Sequence, residues 1–149
     1  MKLFQIEEPD GSPGDPDAPG AAVGIDAGGD LAEVAFAVGG NAVTLADREG
    51  FEQALPVPGP EAPLADWQAL FEGARLRAER ALGRPVTHAV LVFAAGLDPA
   101  LAAELLRASD AAGVALLRVV SAGDLVPGLP PAEAAALIAE DLAPRPESF

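Results

Sequence analysis

The amino-acid sequence predicts an α/β fold built on one mixed five-stranded sheet with helices on its faces. Three observations carry this expectation. Three short apolar runs follow one another closely between glycine-rich turns, as in an antiparallel meander. Two further runs, Thr87 to Ala94 and Ala115 to Val120, are almost continuously apolar, as strands buried on both faces are. Three stretches with helical spacing alternate with these runs.

The meander comes first. Ala21 to Asp26 is short and apolar and stops at Gly28-Gly29. Leu31 to Val38 ends at Gly39-Gly40-Asn41, a tight-turn signature, and Ala42 to Ala46 is the third strand. Phe51 to Pro63 is proline-rich and reads as an irregular connector. From Leu64 to Leu82 the residues Leu64, Trp67, Leu70, Phe71, Ala74, Ala78, Ala81 and Leu82 share one helical face, and Gly83 is the expected C-terminal cap. After the strand at Thr87 to Ala94, Asp98-Pro99 opens a helix that runs to about Ala112 and closes at Gly113. Ala115 to Val120 is the fifth strand, Asp124 to Pro131 a loop, and Pro131 opens a last helix, Ala132 to Leu142. A meander followed by βαβ units is the pattern of a ribonuclease-H-like or actin-like half-domain. The expected organisation is an N-terminal extension and flexible linker over 1–20, one subdomain over 21–143 and a tail over 144–149.

Bulk properties narrow the function classes. The chain has 149 residues, a formal net charge of -14 and no cysteine. The charge repels phosphate backbones and anionic membrane surfaces, so neither nucleic acid nor membrane is an expected partner. It suits a basic protein surface, or serves solubility alone. Without cysteine there is no disulfide, thiolate zinc site or direct Cys ligation of an iron–sulfur cluster. The N-terminus shows no signal-peptide pattern and no apolar stretch is long enough to span a bilayer, so the expected compartment is the cytoplasm.

Several segments resemble HscA-type (DnaK-like) chaperones. Val23-Gly24-Ile25-Asp26 followed by Gly28 looks like the first phosphate loop of actin-like ATPases. Leu3-Phe4-Gln5-Ile6-Glu7-Glu8-Pro9 is similar to the extension that HscA-type chaperones carry before their first strand. Thr44-Leu45-Ala46-Asp47-Arg48-Glu49-Gly50 resembles the segment leaving their third strand. Pro85 to Val120 resembles their strand–helix–strand unit without a gap, most closely over Asp110 to Val120. The resemblance implies the first actin-like ATPase subdomain, and a setting in iron–sulfur cluster assembly or chaperone regulation.

The chemistry of that family is not matched. Where the family has two hydroxyl residues after its phosphate loop, this chain has Gly29 and Asp30. A carboxylate set about 4 Å from a phosphate charge repels it by about 4 kcal/mol at an effective dielectric of 20. The family's switch proline corresponds to Ala94, and its general-base or metal-network glutamate to Ala122. The only lysine is Lys2, and the resemblance extends over one half-domain of the family's two. The expectation is therefore no enzyme, no catalytic residue, no cofactor and no metal, with Asp26, Gly28 and Asp30 a vestigial phosphate loop. The first functional reading is a pseudo-ATPase-like protein-binding module whose partners are iron–sulfur scaffold or chaperone components, or a second copy in a homodimer. The alternatives are a residual nucleotide or magnesium sensor using the same three residues, and a remnant without a role.

Two further clusters are candidate partner surfaces. Arg77, Arg80 and Arg84 stand at helical spacings of three and four, either as a solvated face balanced by Glu72 and Glu79 or as a docking patch. Leu129-Pro130-Pro131 is similar to the Leu-Pro-Pro core that iron–sulfur scaffold proteins present to such chaperones, although Pro131 also opens a helix. His88, the single histidine, reads as structural. Glu104 and Asp110 read as solvated helix surface rather than an acid–base pair.

Overall fold

The computed structural model describes residues 21–45, 55–59, 61–94 and 98–143. The expected extension, linker and tail and the Ala46 to Gly50 part of the HscA-like segment thus lie outside the described residues. The elements are β1 (Ala21–Asp26), β2 (Glu33–Val38), β3 (Asn41–Thr44), α1 (Leu64–Leu82), β4 (Val86–Phe93), α2 (Pro99–Ala111), β5 (Ala115–Ser121) and α3 (Pro131–Leu142). A short 3-10 turn, Ala122–Asp124, follows β5.

One sheet holds all five strands in the order β3-β2-β1-β4-β5. β1 pairs antiparallel with β2, and β2 with β3. β1 and β4 are parallel, as are β4 and β5. The hairpin between β2 and β3 turns on Gly39 and Gly40, both at positive φ (61° and 85°), the combination a type I′ turn requires.

Side-chain size, not only polarity, sorts the two faces. On one face of the β1–β2 pair stand Val23, Ile25 and Val34, which pack with Trp67, Leu70, Phe71, Ala74 and Ala78 of α1 and Leu105 and Ala108 of α2. Trp67, Leu70 and Phe71 are fully buried there, and burying each such side chain contributes about 1.5–3 kcal/mol. On the other face stand Ala22, Ala35 and Ala37, against Ala132, Ala135, Ala136 and Ala139 of α3. At Gly24 the backbone of α3 approaches the sheet closely. A Cβ placed on it would lie 2.3 Å from the Ala132 carbonyl oxygen and 2.4 Å from the Ala136 nitrogen. The first "phosphate-loop" glycine therefore has a packing reason to be glycine.

α3 is also fastened to the hairpin. The Glu140 carboxylate accepts from the Gly39 N–H at 2.7 Å and the Gly40 N–H at 3.0 Å, and Thr44 donates its hydroxyl to Glu133 at 2.6 Å. On the opposite face, Arg75 donates Nε–H to the Ala112 carbonyl at the end of α2 and pairs with Glu79 at 3.1 Å. Glu79 in turn accepts the Val86 N–H at 2.9 Å, so one linked set of bonds joins α1, α2 and the start of β4.

Three expectations need correction. The second strand starts at Glu33, because Leu31 forms an isolated bridge with Pro56 instead. β5 is apolar but not buried on both faces: it is the outer strand, so Leu116, Leu117, Val119 and Val120 are only half-buried and Arg118 is exposed. Ala81 is exposed although its spacing places it with the buried face of α1, where its neighbours Ala78 and Leu82 reach the core. The described residues of the connector are irregular, as expected, and 55–57 are bound to the segment after β1 by two backbone hydrogen bonds and one isolated bridge.

Candidate functional site

The carboxyl ends of β1, β4 and β5 lie side by side, the position at which open α/β sheets commonly bind ligands. Asp26 ends β1, Phe93 and Ala94 end β4, and Ser121 ends β5 opposite Phe93. The loop after Asp26 folds against β4: a Cβ on Gly28 would sit 3.3 Å from the Ala94 nitrogen. Asp26, Gly28 and Ala94 are thus neighbours at this end of the sheet.

The acids there are turned onto their own loops. Asp26 Oδ1 accepts the Gly28 N–H at 2.9 Å. Asp98 Oδ1 accepts the Ala100 N–H at 3.1 Å and caps α2. Ser121 donates its hydroxyl to Asp124 at 2.9 Å. Asp30 has an exposed side chain, and its contribution to the structure is through its backbone, whose carbonyl accepts the Val57 N–H at 2.9 Å. Among the described residues no group of three or more His, Cys, Asp or Glu side chains is placed to hold a metal ion. The local charge is negative, which disfavours a phosphate ligand.

The two partner-surface candidates are not joined. Arg77 and Arg80 lie on α1, over one face of the sheet, whereas Pro131 begins α3 on the other. Arg77 is half-buried and donates to the Gly73 carbonyl at 3.1 Å, and Arg80 is exposed and also has a partner. Arg84 does not extend the stripe, because the helix ends at Leu82 and Gly83 caps it in the left-handed conformation. Leu129 and Pro130 are exposed. Pro130 accepts the Ala134 N–H at 3.0 Å, and Pro131 is the first residue of α3, so the tripeptide is the helix entrance.

His88 is half-buried on β4, and its Nδ1 lies 2.7 Å from the Thr87 hydroxyl. Burial lowers its pKa from the ordinary value of 6.5. Glu104 makes a loose contact with Arg107 at 3.8 Å, and Asp110 is exposed, in line with a solvated helix face.

One feature was not expected from the sequence. A cleft of about 350 Å³ opens between 55–58 and the first half of α1, lined by Leu55, Pro56, Val57, Pro58, Asp66, Ala69 and Leu70. Its signal in the sequence was Gly73 inside a helix: a Cβ there would stand 2.6 Å from a Leu55 methyl, so the glycine admits the connector onto α1.

Comparison with known protein families gives no matching family model, and comparison with curated proteins gives no significant similarity. Among the described residues no helix is long and apolar enough to cross a membrane.

Proposed function

We propose that the chain is a non-catalytic, HscA-like protein-binding module of actin-like half-domain type, working beside iron–sulfur cluster assembly or chaperone regulation. The strand order β3-β2-β1-β4-β5, antiparallel on one side of β1 and parallel on the other, supports the fold half of this reading. The setting rests on the resemblance of Leu3 to Pro9, Thr44 to Gly50 and Pro85 to Val120.

The observation that carries the binding role is the edge of β5, which pairs with no further strand among the described residues. This strand has seven residues, no proline and a single charge, Arg118. An edge of that kind presents unpaired backbone groups to another chain unless something blunts it. Beside it stand half-buried Leu117, Val120, Leu125 and Ile138, with Val126 and Leu129 exposed in the loop that follows. The opposite edge, β3, has four residues and is tied to α3 through Thr44.

Sedimentation velocity and affinity capture with a purified iron–sulfur scaffold protein and its co-chaperone test the reading. Capture of either, reduced by Val119→Pro on the β5 edge, is expected. A compact monomer that captures neither sinks it.

A further inference from the structure

The cleft beside α1 adjoins the loop that leaves the carboxyl end of β1, since its connector wall is bonded to Asp30 and bridged to Leu31, but none of its lining residues belongs to that loop or to β5. Its volume of about 350 Å³ falls within the usual range of small-molecule sites. Both walls are fixed by the fold. The connector wall is held by the Ala32 N–H to the Leu55 carbonyl (2.8 Å), by the Val57 N–H to the Asp30 carbonyl (2.9 Å) and by the bridge between Leu31 and Pro56. The helix wall carries Ala69, whose small side chain leaves the space open, and buried Leu70. Walls held in this way spare a ligand the cost of ordering them.

Asp66 is the single charged residue lining the cleft. Among the described residues no basic side chain pairs with it. An apolar slot with one unpaired carboxylate is complementary to an apolar body carrying one positive charge. The net charge of -14 adds to this by drawing cations to the surface.

We propose that this cleft binds a small organic ammonium compound, an alkyl or aryl amine. Its apolar body lies between Pro56, Pro58 and Ala69, and its ammonium group pairs with Asp66. The proposal goes beyond the partner-binding reading and does not depend on it.

Phenethylamine, 2-phenylethanol and 3-phenylpropionate are suitable probes, titrated into the full chain and followed by amide NMR shifts and by emission of Trp67. Trp67 is the only tryptophan, fully buried, and adjacent to Asp66 on α1. Phenethylamine is expected to give saturable shifts centred on Val57, Ala69 and Leu70. The alcohol should bind about two- to fivefold more weakly, as an exposed ion pair allows, and the carboxylate more weakly still. Asp66→Asn should bring amine and alcohol to the same affinity, whereas Asp98→Asn, at another acidic surface, should leave them different. Ala69→Phe should abolish binding of all three. Equal affinity for amine and alcohol in the wild type, or amine-induced shifts spread over every acidic surface, overturns the proposal. Either result leaves the role of the β5 edge unaffected.

Discussion

His88 shows how a single residue can look like chemistry and act as structure. It lies on β4 with Thr87 as its hydrogen-bond neighbour, and burial disfavours its charged form. Its folded pKa is therefore below the 6.5 of an unfolded chain. Between those two values the unfolded chain binds more protons than the folded one, so acid favours unfolding. The stabilisation tied to neutral His88 is present above 6.5 and is lost as pH falls through the lowered folded value. Urea midpoints of the wild type and His88→Gln, compared at about pH 8 and about pH 5.5, isolate this from the many carboxylates. The wild type is expected to lose more stability on acidification than the variant. A parallel loss in both would rule out His88 as a contributor. Trp67 is a second residue-scale point: its indole N–H is buried without a partner among the described residues, an omission that costs about 1–3 kcal/mol.

At the scale of elements, the two layers against the sheet are built differently. α1 and α2 use large side chains and α3 uses alanines, so α3 approaches β1 closely enough that Gly24 meets helix backbone rather than side chains. Backbone atoms cannot move out of the way by changing rotamer. Gly24→Ala should destabilise by about 3 kcal/mol, the upper end of the cost of forcing extra volume into a packed core. Gly29→Ala, where an added Cβ meets nothing within 4 Å, should change stability by less than about 0.5 kcal/mol. Denaturant unfolding of the two variants checks both, and equal effects would contradict the packing account. The pair also separates two meanings of a glycine-rich loop. Gly24 is required by packing, whereas Gly29 is not. The existence, order and type of all eight elements were legible in the sequence, because apolar runs, helical spacing, Gly39-Gly40, Asp98-Pro99 and Gly83 are local signals. The exposure of β5 was not legible. A continuous apolar run reports hydrophobicity, and whether a neighbour lies beyond it depends on sheet order.

At the scale of the whole molecule, the net charge of -14 sets a repulsion that folding concentrates. Salt shortens its range, from a Debye length of about 30 Å at 0.01 M to about 8 Å at 0.15 M. The thermal midpoint by far-UV circular dichroism is therefore expected to rise over that interval. A midpoint that falls would show that attractive pairs such as Arg75–Glu79 outweigh the repulsion. The same charge bears on the candidate sites. At the carboxyl ends of the strands it works with Asp26, Asp30, Asp98 and Asp124 against phosphate, and at Asp66 it favours a cation.

The sequence by itself determined the α/β class, the meander with its βαβ units and the residues of the loop after β1. Those follow from patterns between neighbours along the chain. Only the tertiary structure decided what the residues do. It set Gly24 beneath α3, turned Asp26 onto the Gly28 N–H and used Asp30 as a backbone anchor for 55–58. It also left β5 at the edge and opened the cleft at Asp66. The physical reason is the same in each case. Burial, hydrogen-bond partners and cleft walls come from residues far apart in sequence, and their approach is decided by packing across the sheet rather than by local propensity.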